Sequence, residues 1–292
     1  MAVRTYTTLR LLRPHHWIKN LLVLAPPFFG GTLFTDPALM GRMAVAFVAF
    51  SLAASSGYMI NDVVDVERDR IHPRNRLRPV AAGEVGARRA VAIALLLLAA
   101  SLAAAAALGT RVAALVVSYL VLQLSYTFGL KHVPILGSFA IALGFVFRIS
   151  VGGAASGVEI SSWLYLTTFL LALLLAFGKR KHELALDDPG AFRGELAHYP
   201  SRYVDYATVM FSTTALVTYS LYTVERGPKA FILTVPLACY GVLRYLYIVH
   251  TGVTGDPTEA LVTDRPLLAA VALWVVLTAA IIQFPDLFGF LL

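Results

Sequence analysis

Nine stretches of this sequence are apolar for about the length of a bilayer crossing, and that property limits the possible fold more than any other. A spanning helix needs roughly 20 apolar residues. The runs at about 17–34, 42–60, 90–108, 112–128, 133–152, 162–178, 206–224, 230–249 and 267–284 meet or approach that length. In hydrocarbon every backbone N–H and C=O has to be satisfied by the protein itself, and runs of this length do so as helices. Composition agrees, since 58% of residues are hydrophobic and 14% charged, where a soluble domain is about half apolar and a quarter charged. A soluble enzyme is excluded, because a globule of 292 residues still shows much of its surface to water. The expected fold class is therefore all-α, a polytopic transmembrane bundle of nine helices forming one integral membrane domain over 1–292. The lone Cys239 leaves no partner for an internal disulfide and no cysteine-based metal cluster.

Orientation follows from the cations, because Lys and Arg near span ends stay on the cytoplasmic side. With nine helices and the N-terminus inside, eighteen of the 24 Lys and Arg fall in inside segments, among them Arg4, Arg10, Arg13 and Lys19. Outside connections hold Arg42, Arg111, Arg226 and Lys229, while Arg148 and Arg244 lie within spans. The C-terminus is then expected on the opposite side, in a multi-pass protein of the inner (plasma) membrane. The first run follows a basic arm and lacks a small-residue cleavage site, so it reads as a retained helix. Pro26 and Pro27 fall inside it and should kink or break it. Two long segments, about 61–89 and 179–205, fall inside and are expected to cap one shared cavity.

The first of these begins with acids. On a helix at 100° per residue, Asp62, Asp65 and Asp69 lie within an arc of about 60°, with Asn61 beside them. Hard oxygen donors in this arrangement suit Mg²⁺, which takes one or two carboxylates, water and substrate phosphates. A diphosphate bridged to the protein through Mg²⁺ or Mn²⁺ is one reading. A solvated helix end paired with Arg68, Arg70 and Arg74 is the other, although ionisable groups abutting a span usually line a cavity or pathway.

The block Asn61, Asp62, Asp65, Asp69, followed by Pro73-Arg74-Asn75-Arg76-Leu77-Arg78-Pro79-Val80-Ala81-Ala82-Gly83, resembles the first signature of the UbiA-type intramembrane prenyltransferase superfamily. The resemblance covers nearly the whole chain and implies a nine-helix bundle with metal sites at its cytosolic end. Arg13-Pro14-His15-His16-Trp17-Ile18-Lys19-Asn20 and Tyr126-Thr127-Phe128-Gly129-Leu130-Lys131 are more specifically similar to the decaprenyl-phosphate phosphoribosyltransferase branch. That branch implies a phosphoribosyl pyrophosphate donor, a polyprenyl monophosphate acceptor and a role in making cell-wall precursors of the arabinan type. By the same resemblance Asp62, Asp65 and Asp69 become catalytic metal ligands, with Asn61 assisting.

One departure stands out. Where aromatic prenyltransferases of the superfamily usually carry a second Asp-rich motif, this chain reads Lys179-Arg180-Lys181-His182-Glu183, with Asp187 one turn beyond Glu183. Glu183 is retained as a possible metal ligand and Asp187 as a substrate contact, while Lys179 and Lys181 suit phosphate oxygens. They would equally suit anionic headgroups, at about 1 kcal/mol per cation. Lys19, Arg76, Arg78, Tyr126 and Lys131 are placed on the same face as substrate-binding residues. Arg148, deep in a span, must meet a partner or a wet cavity, and Arg244 makes the same demand, with Tyr58, Tyr219 or a lipid phosphate as possible partners. Arg10 is attributed to the positive-inside signal alone. Asp256 and Arg265, in the connection before the last span, could close over ribose hydroxyls or form only a polar turn.

Two rivals stay open: an aromatic or quinone-precursor prenyltransferase using a prenyl diphosphate, and an anion transporter with Arg148 and Arg244 along its path. The seven histidines show no zinc spacing, and no phosphate loop or dinucleotide fingerprint is present. No nucleic-acid partner is expected. The small-residue run 103–107 permits a homo-oligomer.

Overall fold

The structure is a computed structural model and describes residues 10–185, 199–200, 202–225, 228–252 and 256–288. It is an all-α bundle. A 3₁₀ segment, Pro14–Leu24, runs into α1 (Ala25–Phe29). Then follow α2 (Pro37–Val64), α3 (Val66–Ile71), α4 (Ala87–Leu108), α5 (Thr110–Phe128), α6 (Leu136–Ser156) and α7 (Ser162–Leu184). The chain ends with α8 (Tyr203–Glu225), a 3₁₀ turn Lys229–Thr234 continuing into α9 (Val235–Thr251), α10 (Pro257–Thr263) and α11 (Arg265–Gln283). All nine apolar runs are helical. Among the described residues, seven helical stretches are long and apolar enough to cross a membrane. The other two runs are the interrupted first segment and α8, which is long enough but rich in Thr, Ser and Tyr.

Local sequence sets the boundaries. Asp36 opens α2, its side chain accepting the Ala38 amide at 2.8 Å, with Pro37 in the first turn where a missing N–H costs nothing. Ser161, Asp256 and Asp264 cap α7, α10 and α11 in the same way. The first segment changes from 3₁₀ to α at Leu24–Ala25, which puts Pro26 and Pro27 in the opening turn of α1, where a missing N–H costs little.

Two apolar cores fill the bundle. One gathers Val23, Phe50, Val112, Tyr119 and Val151 around α2, α4, α5 and the first segment. The other gathers Ala142, Leu173, Phe177, Phe211, Tyr245 and Leu267 around α7, α8, α9 and α11. Helix α6 contributes to both, Val151 to one and Ala142 to the other. A smaller cluster of Leu11, Met59, Val80, Val85 and Ala90 fastens the segment after α3 back onto the bundle. That anchoring gives the 61–89 stretch a fixed shape instead of leaving it an open loop.

Candidate active site

Five chain segments that are far apart in sequence meet around one cavity of about 940 Å³. They are 10–16, 61–79, 131–132, 179–183 and 256–263, and they come from the stretches that the cation count placed on one side. Asn61, Asp65, Asp69, Arg78, Lys131, Lys179, Glu183 and Asp256 all line it.

The acids do not share one uninterrupted helix face. Helix α2 stops at Val64, and Asp65 (φ −93°, ψ 10°) bends the chain before α3 begins at Val66. The Asp65 amide still reaches Asn61 O at 2.9 Å, and the Asp69 amide reaches Asp65 O at 2.9 Å, so the turn spacing survives the bend. The side chains then divide. Asp62, only 1% exposed, lies behind the wall, paired with Arg13 and with Arg78 at 3.2 Å. Arg78 also donates to Asp69 at 2.6 Å, so one guanidinium ties two carboxylates. Lys131 Nζ reaches both Asp65 oxygens, at 2.6 and 2.7 Å, and Asn61 Oδ1 at 3.2 Å. Asn61 Nδ2 in turn donates to Asp65 at 2.9 Å. Burial pushes the Asp69 carboxyl above its ordinary value against the pull of Arg78, and the charges of Asp62 and Asp65 add to the rise.

Arg13 reaches Asp62 from an unusual backbone position, with φ 51° and ψ 56°. A left-handed conformation costs a non-glycine residue roughly 1–2 kcal/mol, and such outliers persist where the surroundings enforce them. Here the enforcing contact is a buried carboxylate. The quoted Arg-Pro-His-His run contained Arg13, but nothing in its spacing linked it to Asp62.

The opposite wall is built where α10 packs against the first segment and α7. Asp256 Oδ1 accepts the Thr258 and Glu259 amides at 2.8 and 3.3 Å. Burial alone would raise its carboxyl, but Lys19, Lys179, His16 and the Thr258 amide hold it well below the ordinary carboxylate value. Its carboxylate therefore organises the wall. Lys19 is one of those organising charges, although it is not among the lining residues. Arg74 crosses the rim to Glu259 at 2.9 Å, joining the segment after α3 to α10.

Several expected contacts lie elsewhere. Arg76 and Arg265 are exposed and do not line the cavity, nor does Tyr126. Lys181 pairs with Asp205 on α8. Arg180 is buried and meets Glu183 at 2.6 Å, because α7 continues to Leu184 and places the two one turn apart. Asp187 lies outside the described residues. Arg148 is buried in the bundle, donating to Asn20 and to Gly144 O, each at 2.8 Å, over the rings of Phe50, Phe145 and Tyr119. Neither Arg148 nor its partner Asn20, on the first segment, lines the cavity. Arg244 corrects the expectation of a Tyr58, Tyr219 or lipid partner: it forms a two-pronged pair with Asp264 at 2.8 and 3.1 Å. A carboxylate fork outcompetes a phenol for a guanidinium. Arg10 is likewise more than an orientation signal, since it lines the cavity and holds Glu84 at 3.1 Å. His15, His16, His72, His132 and His182 also line it, a gathering that their scattered sequence positions did not disclose.

Hard oxygen donors from Asn61, Asp65, Asp69 and Glu183 face this space, which fits a divalent cation of the Mg²⁺ type. Among the described residues no three Asp, Glu, His or Cys side chains converge closely enough to hold a metal alone. The wall therefore fits a cation that completes its shell from a bound phosphate.

Comparison with known proteins agrees with this geometry. Residues 23–263 match the UbiA prenyltransferase family. The chain is 35% identical over 284 residues to a decaprenyl-phosphate phosphoribosyltransferase of Mycobacterium tuberculosis, covering 94% of each chain. It is 36% identical over 280 residues to the enzyme of that name from Corynebacterium glutamicum, covering 91% of this chain and 84% of that one. Among solved structures, a UbiA homolog from Archaeoglobus fulgidus bound to GPP and Mg²⁺ superposes with a TM-score of 0.75 at 22% identity. That alignment covers 95% of this chain and 99% of the other, and it shows a shared fold.

Proposed function

The chain belongs to the UbiA prenyltransferase family of multi-pass membrane transferases, and from that premise we propose that it moves a 5-phosphoribosyl group from phosphoribosyl pyrophosphate to a polyprenyl (decaprenyl) monophosphate, releasing pyrophosphate. The charge of the cavity carries this reading: seven Lys and Arg residues line it against five Asp and Glu. A basic surplus beside oxygen ligands suits two phosphorylated substrates better than one diphosphate and a neutral acceptor. The similarity to decaprenyl-phosphate phosphoribosyltransferases over nearly the whole chain supports the same assignment.

Asn61, Asp65 and Asp69, with Glu183 opposite, would hold the metal. Bound there, Mg²⁺ (or Mn²⁺) would neutralise charge gathering on the departing diphosphate. Arg78, Lys131 and Lys179 supply further donors for phosphate oxygens, and Asp62 holds Arg13 and Arg78 in place from behind. A phosphate oxygen of the lipid attacks ribose C1 while the bond from C1 to the diphosphate oxygen breaks, and the electron pair leaves with pyrophosphate. The prenyl phosphate is ionised at neutral pH, so no side chain need act as general base. In-line attack inverts the anomeric carbon. In this reading the cavity sits at the cytoplasmic mouth of the bundle, bordered by the 61–89 stretch, and the prenyl tail lies between helices in the bilayer of the plasma membrane; residues 186–198 and 201 of the expected 179–205 cap lie outside the described residues.

The intramembrane arginines do not line this cavity. Arg148 is tied to Asn20 and Arg244 to Asp264, which weighs against the anion-transporter reading. The deciding experiment incubates purified protein with Mg²⁺, decaprenyl phosphate and phosphoribosyl pyrophosphate labelled in the ribose. Label is expected in the organic phase. Its absence there, with transfer from a prenyl diphosphate to an aromatic acid, would overturn the assignment.

A further inference from the structure

The wall opposite the acids contains polar groups that the mechanism above leaves unused. Thr258 is 8% exposed, yet among the described residues its Oγ1 has no hydrogen-bond partner. The same is true of His16 Nδ1 and His182 Nδ1, both buried atoms. All three residues line the cavity, although they come from three different elements, the first 3₁₀ segment, α7 and α10. A buried polar atom left without a partner costs about 1–3 kcal/mol, and native structures keep few of them unless water or a ligand completes the bond.

Burial first, then Lys19, His15 and Arg13, lower the His16 imidazole to a pKa of about 2, so it carries no charge at physiological pH. Asp256 lies between Lys19 and Lys179 and offsets part of their charge. It also fixes Thr258 by accepting its amide. Two imidazole nitrogens and a hydroxyl, each able to donate or accept, match the hydroxyl groups of a sugar ring better than a phosphate, which needs charge or several donors together.

Resting on the phosphoribosyl transfer proposed above, we propose that Thr258, His16 and His182 form a subsite for the ribose hydroxyls of the donor, set across the cavity from the diphosphate wall of Asn61, Asp65 and Lys131. It makes the donor's sugar a specificity element. A site built to hydrogen-bond a hydroxyl discriminates strongly against ligands that lack it, because its own polar groups are then stranded.

The test is equilibrium binding to purified protein in lipid nanodiscs with Mg²⁺. Labelled phosphoribosyl pyrophosphate is the probe, and inorganic pyrophosphate, which has no sugar, is the comparison. Thr258→Val is near isosteric and removes the hydroxyl; it is expected to weaken the sugar donor about tenfold and leave pyrophosphate unchanged. Thr258→Ser is expected to restore binding. His182→Phe should give the same split independently and carries the test if Thr258→Val does not fold. Equal weakening of both ligands, or unchanged binding of the sugar donor, overturns the subsite alone. Failure of the wild-type protein to bind phosphoribosyl pyrophosphate, with retained binding of a prenyl diphosphate, overturns the proposed function together with it.

Discussion

Asp65 carries the clearest residue-scale consequence. Both its oxygens face Lys131 Nζ, and Asn61 bridges the same pair. Asparagine at this position keeps the shape and an acceptor for Lys131 but removes the charge that would attract a divalent cation. Asp65→Asn is expected to insert and fold normally, with turnover down by about 100-fold or more, the scale seen when one electrostatic contribution to a transition state is lost. Rates measured across a Mg²⁺ titration decide the point, and near-wild-type turnover at limiting Mg²⁺ would reject Asp65 as a ligand. The spacing of Asn61, Asp62, Asp65 and Asp69 was enough to place them at one helix end. It could not reveal that Asp62 turns inward to Arg13 and Arg78 while Asp65 turns to Lys131, because those cations arrive from segments tens of residues away. Thr258 and the two histidines escaped notice for the same reason: their isolation in sequence hides a meeting that exists only after α10 packs against α7 and the first segment.

At the scale of elements, hydrophobic runs located every long helix to within several residues, and capping residues sharpened their starts. What they missed was the ordered structure between spans. The 61–89 stretch contains α3 and is pinned by Val80 and Val85, and α10 forms where only a turn or lid was expected. The first segment is the element on which the site depends most, since it carries Arg13, His16 and Lys19 yet is largely 3₁₀. Its position is fixed against α6 by the Arg148–Asn20 bond and by backbone contact at Gly152. A Cβ at Gly152 would overlap the Val23 carbonyl oxygen, and it would stand 2.9 Å from the Val23 carbonyl carbon and 3.0 Å from Pro26 Cδ. Neither backbone nor a proline ring can swing aside. Gly152→Ala is therefore expected to destabilise the protein by about 3 kcal/mol, the upper range for overpacking. Thermal inactivation in detergent would report it. Gly241→Ala on α9, where an added Cβ meets nothing within 4 Å, serves as the control and should leave the midpoint unchanged or slightly raised.

The whole molecule joins two kinds of information that the sequence holds separately. Apolar runs determine how many helices there are, and the cations between them determine which connections share a side. Residues from the five segments grouped by that reasoning line one cavity, a convergence that an odd number of crossings before any of them would have broken. The orientation of that cavity toward the cytoplasm is a further claim, resting on the retention of Lys and Arg on that side. It can be tested directly because Cys239 is the only cysteine in the chain, so a single Cys239→Ser substitution provides a clean background. Arg76→Cys, exposed near the cavity end, should react with a membrane-impermeant maleimide only in inverted vesicles. Gly109→Cys, in the turn between α4 and α5 at the other end, should react only in right-side-out vesicles or intact cells. Labelling of both from the same side would contradict the nine-crossing arrangement. The reverse pattern would keep the bundle and its cavity but place the site away from the cytoplasm, where phosphoribosyl pyrophosphate is not made, and so would count against the proposed donor as well.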